Sequence, residues 1–198
     1  MIWQMPSSAN DSEVSPPERL RSALRRRPPR LLASDVKAAV AVIIEPSGPQ
    51  LLFIRRAEHP HDPWSGHIAF PGGTQDEGDR DLLATAQREA REEIGMDLTR
   101  ADYLGQLDDL QTNISPLVVS GFAYSAPRQQ PRLSEEVEDC FWVPLAHLSE
   151  AARRTHLTIE VRREVRRFPA LSLGPEKPLL WGITYRFAEQ VMKHLVVP

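Results

Sequence analysis

GHIAFPGGTQDEGDRDLLATAQREAREEIGM, residues 66–96, is the stretch from which the fold is read. A sharp turn, Phe70-Pro71-Gly72-Gly73, leads into an acidic loop and then a helix that stops at Gly95. A helix advances about 100° per residue, so residues three and four apart fall on one face. Glu89, Glu92 and Glu93 therefore share one narrow arc. Leu83, Ala86, Ala90 and Ile94 form a separate apolar stripe beside it, the face that is to be buried.

Carboxylates crowded on one arc repel, each like-charged pair costing roughly 0.2–0.5 kcal/mol. A hard divalent cation offsets that cost, because Mg²⁺ takes oxygen ligands, keeps part of its water shell and bridges carboxylates to substrate phosphates. Arg88 lies four residues before Glu92 and can hold it in place. An ordinary solvated acidic helix face is the competing reading of the same pattern.

The acidic run is not isolated. Gly73, a loop, and then Arg88-Glu89-Ala90-Arg91-Glu92-Glu93-Ile94-Gly95-Met96 resemble the signature of the Nudix hydrolases, G-x5-E-x7-R-E-U-x-E-E-x-G-U, where U is aliphatic. The second half matches fully, with Ala90 and Met96 at the aliphatic positions. The first half departs: fourteen residues separate Gly73 from Arg88, one more than the signature holds. The acidic position ahead of the helix is then Asp79 with one extra residue, or it is lost to Arg80.

That resemblance implies an α+β protein with the Nudix fold, an α/β/α sandwich around a mixed β-sheet. It implies hydrolysis of the pyrophosphate of a nucleoside diphosphate linked to another group, with Mg²⁺ or Mn²⁺ as cofactor. Metal ligation falls to Glu89, Glu92 and Glu93, with the Gly72 backbone carbonyl as a further candidate ligand and Arg88 orienting the carboxylates. A fourth carboxylate comes from beyond the helix; Glu136 is the choice and Glu135 its rival. The general base is Glu93, Glu136 or a metal-activated water. A non-catalytic nucleotide-binding module is the reading from another class, and retention of all three box carboxylates argues against it.

Further segments resemble the coenzyme A pyrophosphatase subgroup: Gly66-His67-Ile68-Ala69-Phe70-Pro71-Gly72-Gly73, Tyr103 to Asp109, Phe168-Pro169-Ala170, and Leu180-Trp181-Gly182-Ile183-Thr184. The subgroup's upstream element departs here, reading Leu51-Leu52-Phe53-Ile54-Arg55-Arg56 with no second arginine near His61 or Asp62. Coenzyme A or a derivative is the implied substrate; nucleotide sugars, ADP-ribose and dinucleotides are the alternatives. Arg55, Trp64, His67 and Phe70 are the candidate substrate contacts.

Composition bounds the rest. The chain has 198 residues, 41% hydrophobic and 26% charged, which suits one globular domain with a proper core. A net charge of −3 argues against a nucleic-acid partner. The single cysteine, Cys140, excludes an intrachain disulfide and fits a reducing cytoplasm; beside Phe141 and Trp142 it reads as a buried structural thiol. No apolar run is long enough to span a membrane. His59 and His61 have no third His or Cys placed to complete a metal site.

Residues 1–14 read as a mobile polar tail ahead of one domain, 15–198. Ser15-Pro16-Pro17-Glu18 looks like a capping box opening a helix over about 16–27. Its Arg21, Arg25 and Arg26 form a solvated face, or one that attracts a polyanionic substrate or sits at a homodimer interface. Val36–Ile44 reads as a central strand, with Gln50–Arg55 its hairpin partner across Pro46-Ser47-Gly48-Pro49. Strands follow at Tyr103–Asp109, Pro116–Ser125 and Glu136–Val143, with a polar loop at Gln111-Thr112-Asn113. A helix runs from Pro144 to about Arg153, short strands cover His156–Arg162 and Val165–Phe168, and a last helix covers Gly182–Leu195. Strands in two groups with one helix between them and one at the end give an α+β class rather than a regular βαβ repeat.

Overall fold

A computed structural model describes residues 14–60, 64–112, 116–161 and 164–195. In chain order the first half holds α1 (Pro16–Arg25), β1 (Lys37–Glu45), β2 (Gln50–Arg56), β3 (Ile68–Ala69), β4 (Gly72–Thr74) and α2 (Leu82–Ile94). The second half holds β5 (Asp102–Gln106), β6 (Leu110–Gln111), β7 (Val118–Ser125), β8 (Val137–Pro144), α3 (Leu145–Ser149), β9 (Arg154–Val161), β10 (Glu164–Leu171), β11 (Leu180–Trp181) and α4 (Gly182–Leu195).

The apolar run of β1 makes it the centre of a mixed sheet. It pairs antiparallel with β2 at Ile44↔Leu51 and parallel with β7 from Lys37↔Val118 to Ile44↔Ser125. The turn between β1 and β2 is tied down by Glu45, buried, whose carboxylate accepts the backbone N–H groups of Ser47 and Gly48. β8 and β3 extend the sheet beyond β2, β5 and β6 pair with β7, and β4 pairs with the early half of β1 at Ala39↔Gly73.

Side chains alternate across the sheet, and each face has its own core. Ala39, Ala41 and Ile43 of β1 pack with Ala86, Ala90 and Ile94, so the expected stripe of α2 is buried against this face. Val42 and Ile44 point the other way and pack with Phe187, Val191 and Leu195 of α4 and Leu20 of α1. Helices thus cover both faces of a mixed sheet, the α/β/α arrangement expected. A separate sheet, β11-β10-β9, stands beside α4.

Several boundaries differ from expectation for physical reasons. Helix α1 stops at Arg25, and Ser15 makes no side-chain cap bond. Glu18 is spent on an ion pair with Arg21 at 3.4 Å rather than on the reciprocal half of a capping box. Arg21 is no solvated cation either, since it also pairs with Asp102 of β5 and donates to the Tyr103 carbonyl. The strand at Tyr103 ends at Gln106 because Asp108 and Asp109 are drawn to the segment after α1. Asp108 accepts both Nη groups of Arg27 at 2.8 Å and the Arg30 N–H, and Asp109 accepts the Leu32 N–H.

The first residue of the expected polar loop, Gln111, belongs to β6, a two-residue strand on β7. The helix from Pro144 breaks at Ser149, where Glu150 takes an extended ψ of 116°, and only a 3₁₀ turn over Ala151–Arg153 follows. The two expected short strands are one eight-residue antiparallel hairpin pair, joined by β11 at Ala170↔Trp181. The tail reading for 1–14, the loop end at Asn113 and the strand end at Arg162 lie largely or wholly outside the described residues. Among the described residues, no helix is long and apolar enough to cross a membrane.

Candidate active site

The turn at Pro71 sends the chain back beside β1 as β4, and bare backbone is required there. A Cβ on Gly72 would overlap the Ala39 carbonyl, and a Cβ on Gly73 would overlap the Glu89 carboxylate. The close approach puts the Gly72 N–H on Glu93 Oε2 at 2.9 Å. Helix α2 enters through Asp81, which accepts the Ala84 N–H at 2.8 Å, and ends at Gly95.

Arg88 is the hub of the arc. Its Nε and Nη2 grip Asp79 in a fork, at 3.1 Å to Oδ1 and 2.9 Å to Oδ2. Nη1 donates to Glu89 Oε1 and Glu92 Oε2, both at 2.9 Å, and Nη2 also reaches the Thr74 carbonyl at 3.1 Å. The Arg88 guanidinium holds Asp79 down at about 2, against the opposing effect of burial. Asp79 therefore fills the acidic position ahead of the helix, and its side chain is only 6% exposed. The extra residue is absorbed between Asp79 and the first turn of α2.

The three carboxylates of the arc stand in graded surroundings. Glu92 is half exposed, Glu89 mostly covered, and Glu93 buried at 3% exposure. Burial pushes the Glu93 carboxyl up to about 8; the Gly72 N–H opposes this, while Glu89 and Glu136 add repulsion. Glu89 is raised too, by burial first, with Arg88 opposing and Glu92 and Glu136 adding. Glu136 thus lies close enough to repel both helix carboxylates, and it lines the same cleft as Glu89 and Glu92. Glu135 is not among the described residues that line it.

Among the described residues no three His, Cys, Asp or Glu side chains converge as a preformed metal cage. The donor set nonetheless fits a hard cation bound openly. Glu89, Glu92 and Glu136 line a cleft with room for water and substrate oxygens to complete a coordination shell, and Glu93 is buried and not among its described lining residues. Glu89, Glu92, Glu93 and Glu136 are the side chains that could hold such an ion.

The cleft measures about 630 Å³. Its lining brings together Gly72, Gly73, Glu89 and Glu92 of the acidic arc and the rings of Trp64, His67, Phe168 and Trp181. Of the expected substrate contacts, Trp64 and His67 line it directly. Phe70 also reaches it, but as its floor: the ring is buried and stacked on Phe53 at 4.8 Å between centroids. Arg55 does not line it. Arg55 pairs with Glu138 at 3.4 Å and Glu58 at 3.9 Å, and it is Arg56, the next residue on β2, that lines the cleft. Neighbours on a strand point to opposite faces, so a shift of one residue exchanges the two roles. His61 lies outside the described residues, and His59 is engaged through its backbone with Ser65. Burial pushes the Cys140 thiol up to about 11, as an inert thiol requires.

Sequence reasoning missed Arg56, Phe168, Trp181 and Arg186 as cleft residues. No strand signal separated Arg56 from Arg55, because Leu51 to Ile54 are all buried and both faces of β2 are covered. For the others, sequence similarity marked their segments but nothing in linear spacing brought them to one place.

The chain is similar to several known proteins. The profile described as NUDIX domain matches residues 35–164. The human mitochondrial coenzyme A diphosphatase NUDT8 is 31% identical over 184 residues, covering 89% of this chain and 77% of that protein. An uncharacterised protein of Schizosaccharomyces pombe is 36% identical over 130 residues, 61% of this chain, which spans about 40% of that relative's length. Among solved structures, the NUDIX domain of Shewanella oneidensis NrtR, complexed with ADP ribose, has the same fold. It aligns at TM-score 0.54 and 18% identity, over 88% of this chain and 97% of that one.

Proposed function

The chain belongs to the Nudix hydrolase family, and from that premise we propose that it hydrolyses the pyrophosphate of coenzyme A or a derivative, using Mg²⁺ or Mn²⁺. The observation that carries the hydrolytic reading is the Arg88 fork. One guanidinium fixes Glu89 and Glu92 together while being itself fixed by Asp79. A solvated acidic face has no need of such an anchor, and a domain that only binds nucleotide has no need of the mutually repelling carboxylates it holds.

In this reading each part has a task. Arg88 keeps two carboxylates aimed into the cleft before substrate arrives, so little reorganisation is left for the reaction. Glu93, held on the Gly72 N–H, ties the glycine turn to the helix, and Glu136 adds a further carboxylate to the cleft lining. The divalent cation supplies neutralisation of phosphoryl charge and acidification of the attacking water. Arg56, at the cleft wall, is placed to meet a phosphate oxygen.

The choice of coenzyme A is supported by the human relative, which is named for that activity and aligned over most of both chains. Nucleotide sugars, ADP-ribose and dinucleotides carry the same pyrophosphate and are the alternatives. A cytoplasmic site of action belongs to the same reading and is supported by the sequence holding a single cysteine, Cys140.

The test is a substrate panel of coenzyme A, ADP-ribose, NADH and sugar nucleotides with Mg²⁺ or Mn²⁺, products being identified by mass. Release of 4′-phosphopantetheine and adenosine 3′,5′-bisphosphate is the expected result. A preference of about tenfold or more for sugar nucleotides, ~1.4 kcal/mol in the transition state, rejects the coenzyme A assignment.

A further inference from the structure

We propose that a second cavity, on another face of α4 from the catalytic cleft, is a binding site for a short aliphatic carboxylate. The proposal stands apart from the hydrolytic reading, because the two spaces share no lining residue among those described.

The cavity measures about 300 Å³ and takes its walls from α3, the C-terminal sheet and α4. Helix α4 contributes Tyr185, Ala188, Glu189 and Met192, whose spacing of three and four puts them on one face. Ile183, Arg186 and Phe187 of the same helix line the catalytic cleft instead. In β11, Leu180 lines the second cavity and Trp181 the cleft, because neighbours on a strand point to opposite faces.

The lining is graded from floor to mouth. Leu148, Leu171, Leu180 and Ala188 are at most 5% exposed, so their apolar surface makes the floor. Arg154 and Lys193 are exposed and Glu189 partly so, which places the charged groups at the mouth. Arg154 Nη1 donates to Tyr185 Oη and to Glu189 Oε1, both at 3.1 Å. The Tyr185 hydroxyl donates to that same Glu189 oxygen at 2.9 Å. Glu189 is thus matched within this cluster. Among the described residues no carboxylate lies within ion-pair reach of Lys193, so the mouth carries positive charge in excess. The contacts of Arg154 with Tyr185 and Glu189 use only Nη1, and its Nε–Nη2 edge has the fork geometry that takes a carboxylate by two bonds.

Protein interiors hold few voids larger than a water molecule. Four buried apolar side chains around an open hollow of this size therefore mark a place for a guest, at the small end of ligand pockets. An apolar floor beneath a cationic mouth fits a short alkyl chain with an anionic head. The chain lies on the leucines and the carboxylate sits between Arg154 and Lys193. An alkylammonium meets two cations there, and a nucleotide has too much polar surface for the floor.

Calorimetric titration of the full chain with butanoate, hexanoate, hexan-1-ol and hexylammonium tests the site. Each buried methylene is expected to tighten binding about three- to fourfold, so hexanoate should bind about tenfold more tightly than butanoate. Hexan-1-ol and hexylammonium should bind at least about tenfold more weakly than hexanoate. Lys193→Glu and Arg154→Gln, both on exposed side chains, should each weaken hexanoate about tenfold. Trp64→Ala, on the wall of the catalytic cleft, should leave hexanoate binding unchanged. If Arg154→Gln does not fold without its contact to Glu189, Lys193→Glu decides alone, since it breaks no described ion pair. Hexan-1-ol binding as tightly as hexanoate, no hexanoate binding at millimolar concentration, or a loss of affinity in Trp64→Ala with none in Lys193→Glu overturns the site. Nothing is hydrolysed in these titrations, so their failure leaves the hydrolytic reading standing, and a failure of hydrolysis leaves hexanoate binding measurable.

Discussion

At the scale of single residues, Asp79 and Gly73 matter beyond their size. Asp79 accepts a forked, charge-assisted pair from Arg88 in a nearly covered position, where such bonds are at their strongest. Asp79→Asn keeps the shape and removes the charge. It is expected to cost about 1–3 kcal/mol in a denaturant titration and to lower turnover as Arg88 loosens its hold on Glu89 and Glu92. An unchanged midpoint with unchanged turnover contradicts the anchor. Gly73→Ala works the other way: the new methyl displaces the Glu89 carboxylate, the mobile end of a side chain, so the fold should tolerate it. Turnover is expected to fall by an order of magnitude or more with the melting temperature shifted only slightly; a large melting shift with normal turnover would place the strain in the backbone instead.

The residue scale is also where linear reading was weakest. Glu89, Glu92 and Glu93 are legible because helical spacing alone puts them on one arc. The role of Asp79 was not, since the extra residue before α2 breaks the register and only the fold shows where the loop absorbs it. Arg55 and Arg56 were exchanged because β2 is buried on both faces from Leu51 to Ile54, so alternation does not say which face leads to the cleft.

Among elements, the segment after α1 is held to the β5–β6 region by polar contacts more than by apolar burial. Asp108 is central, accepting Arg27 and the Arg30 N–H while its own N–H donates to Gln190 of α4. Arg27 holds the Asp108 carboxyl down at about 2, with burial opposing. The sign follows directly. The unfolded carboxyl titrates near 3.9, so the stabilisation is complete above that pH and is lost as pH falls from about 4 through 2. Acid unfolding should thus begin in that window, and Asp108→Asn should flatten it; equal acid midpoints for parent and variant argue against this contact. The hairpin β1–β2 and helix α4 were legible because long apolar periodicity specifies them. The short strands β3, β4, β6 and β11 were not, because two or three residues carry no periodicity and their pairing is set by neighbours distant in sequence.

Taken whole, the molecule divides its work between two regions. The central sheet and α2 set the carboxylates, while β10, β11 and α4 add Phe168, Trp181 and Arg186 to the cleft wall. The α+β class and the sandwich were accessible from the order of elements and the resemblance carried by α2. The cleft was not, because its walls come from residues about 120 apart that meet only through packing of the two sheets and α4.

The central claim is that the arc on α2 is a hydrolytic centre, and Glu92→Gln tests it most directly. Glu92 is half exposed, so the neutral isostere leaves the core untouched. Mg²⁺-dependent turnover of the preferred nucleotide is measured for parent and variant alongside their melting temperatures. The account predicts a loss of at least about tenfold in turnover, ~1.4 kcal/mol or more in the barrier, with melting essentially unchanged. Equal Mg²⁺-dependent turnover in the two proteins contradicts it.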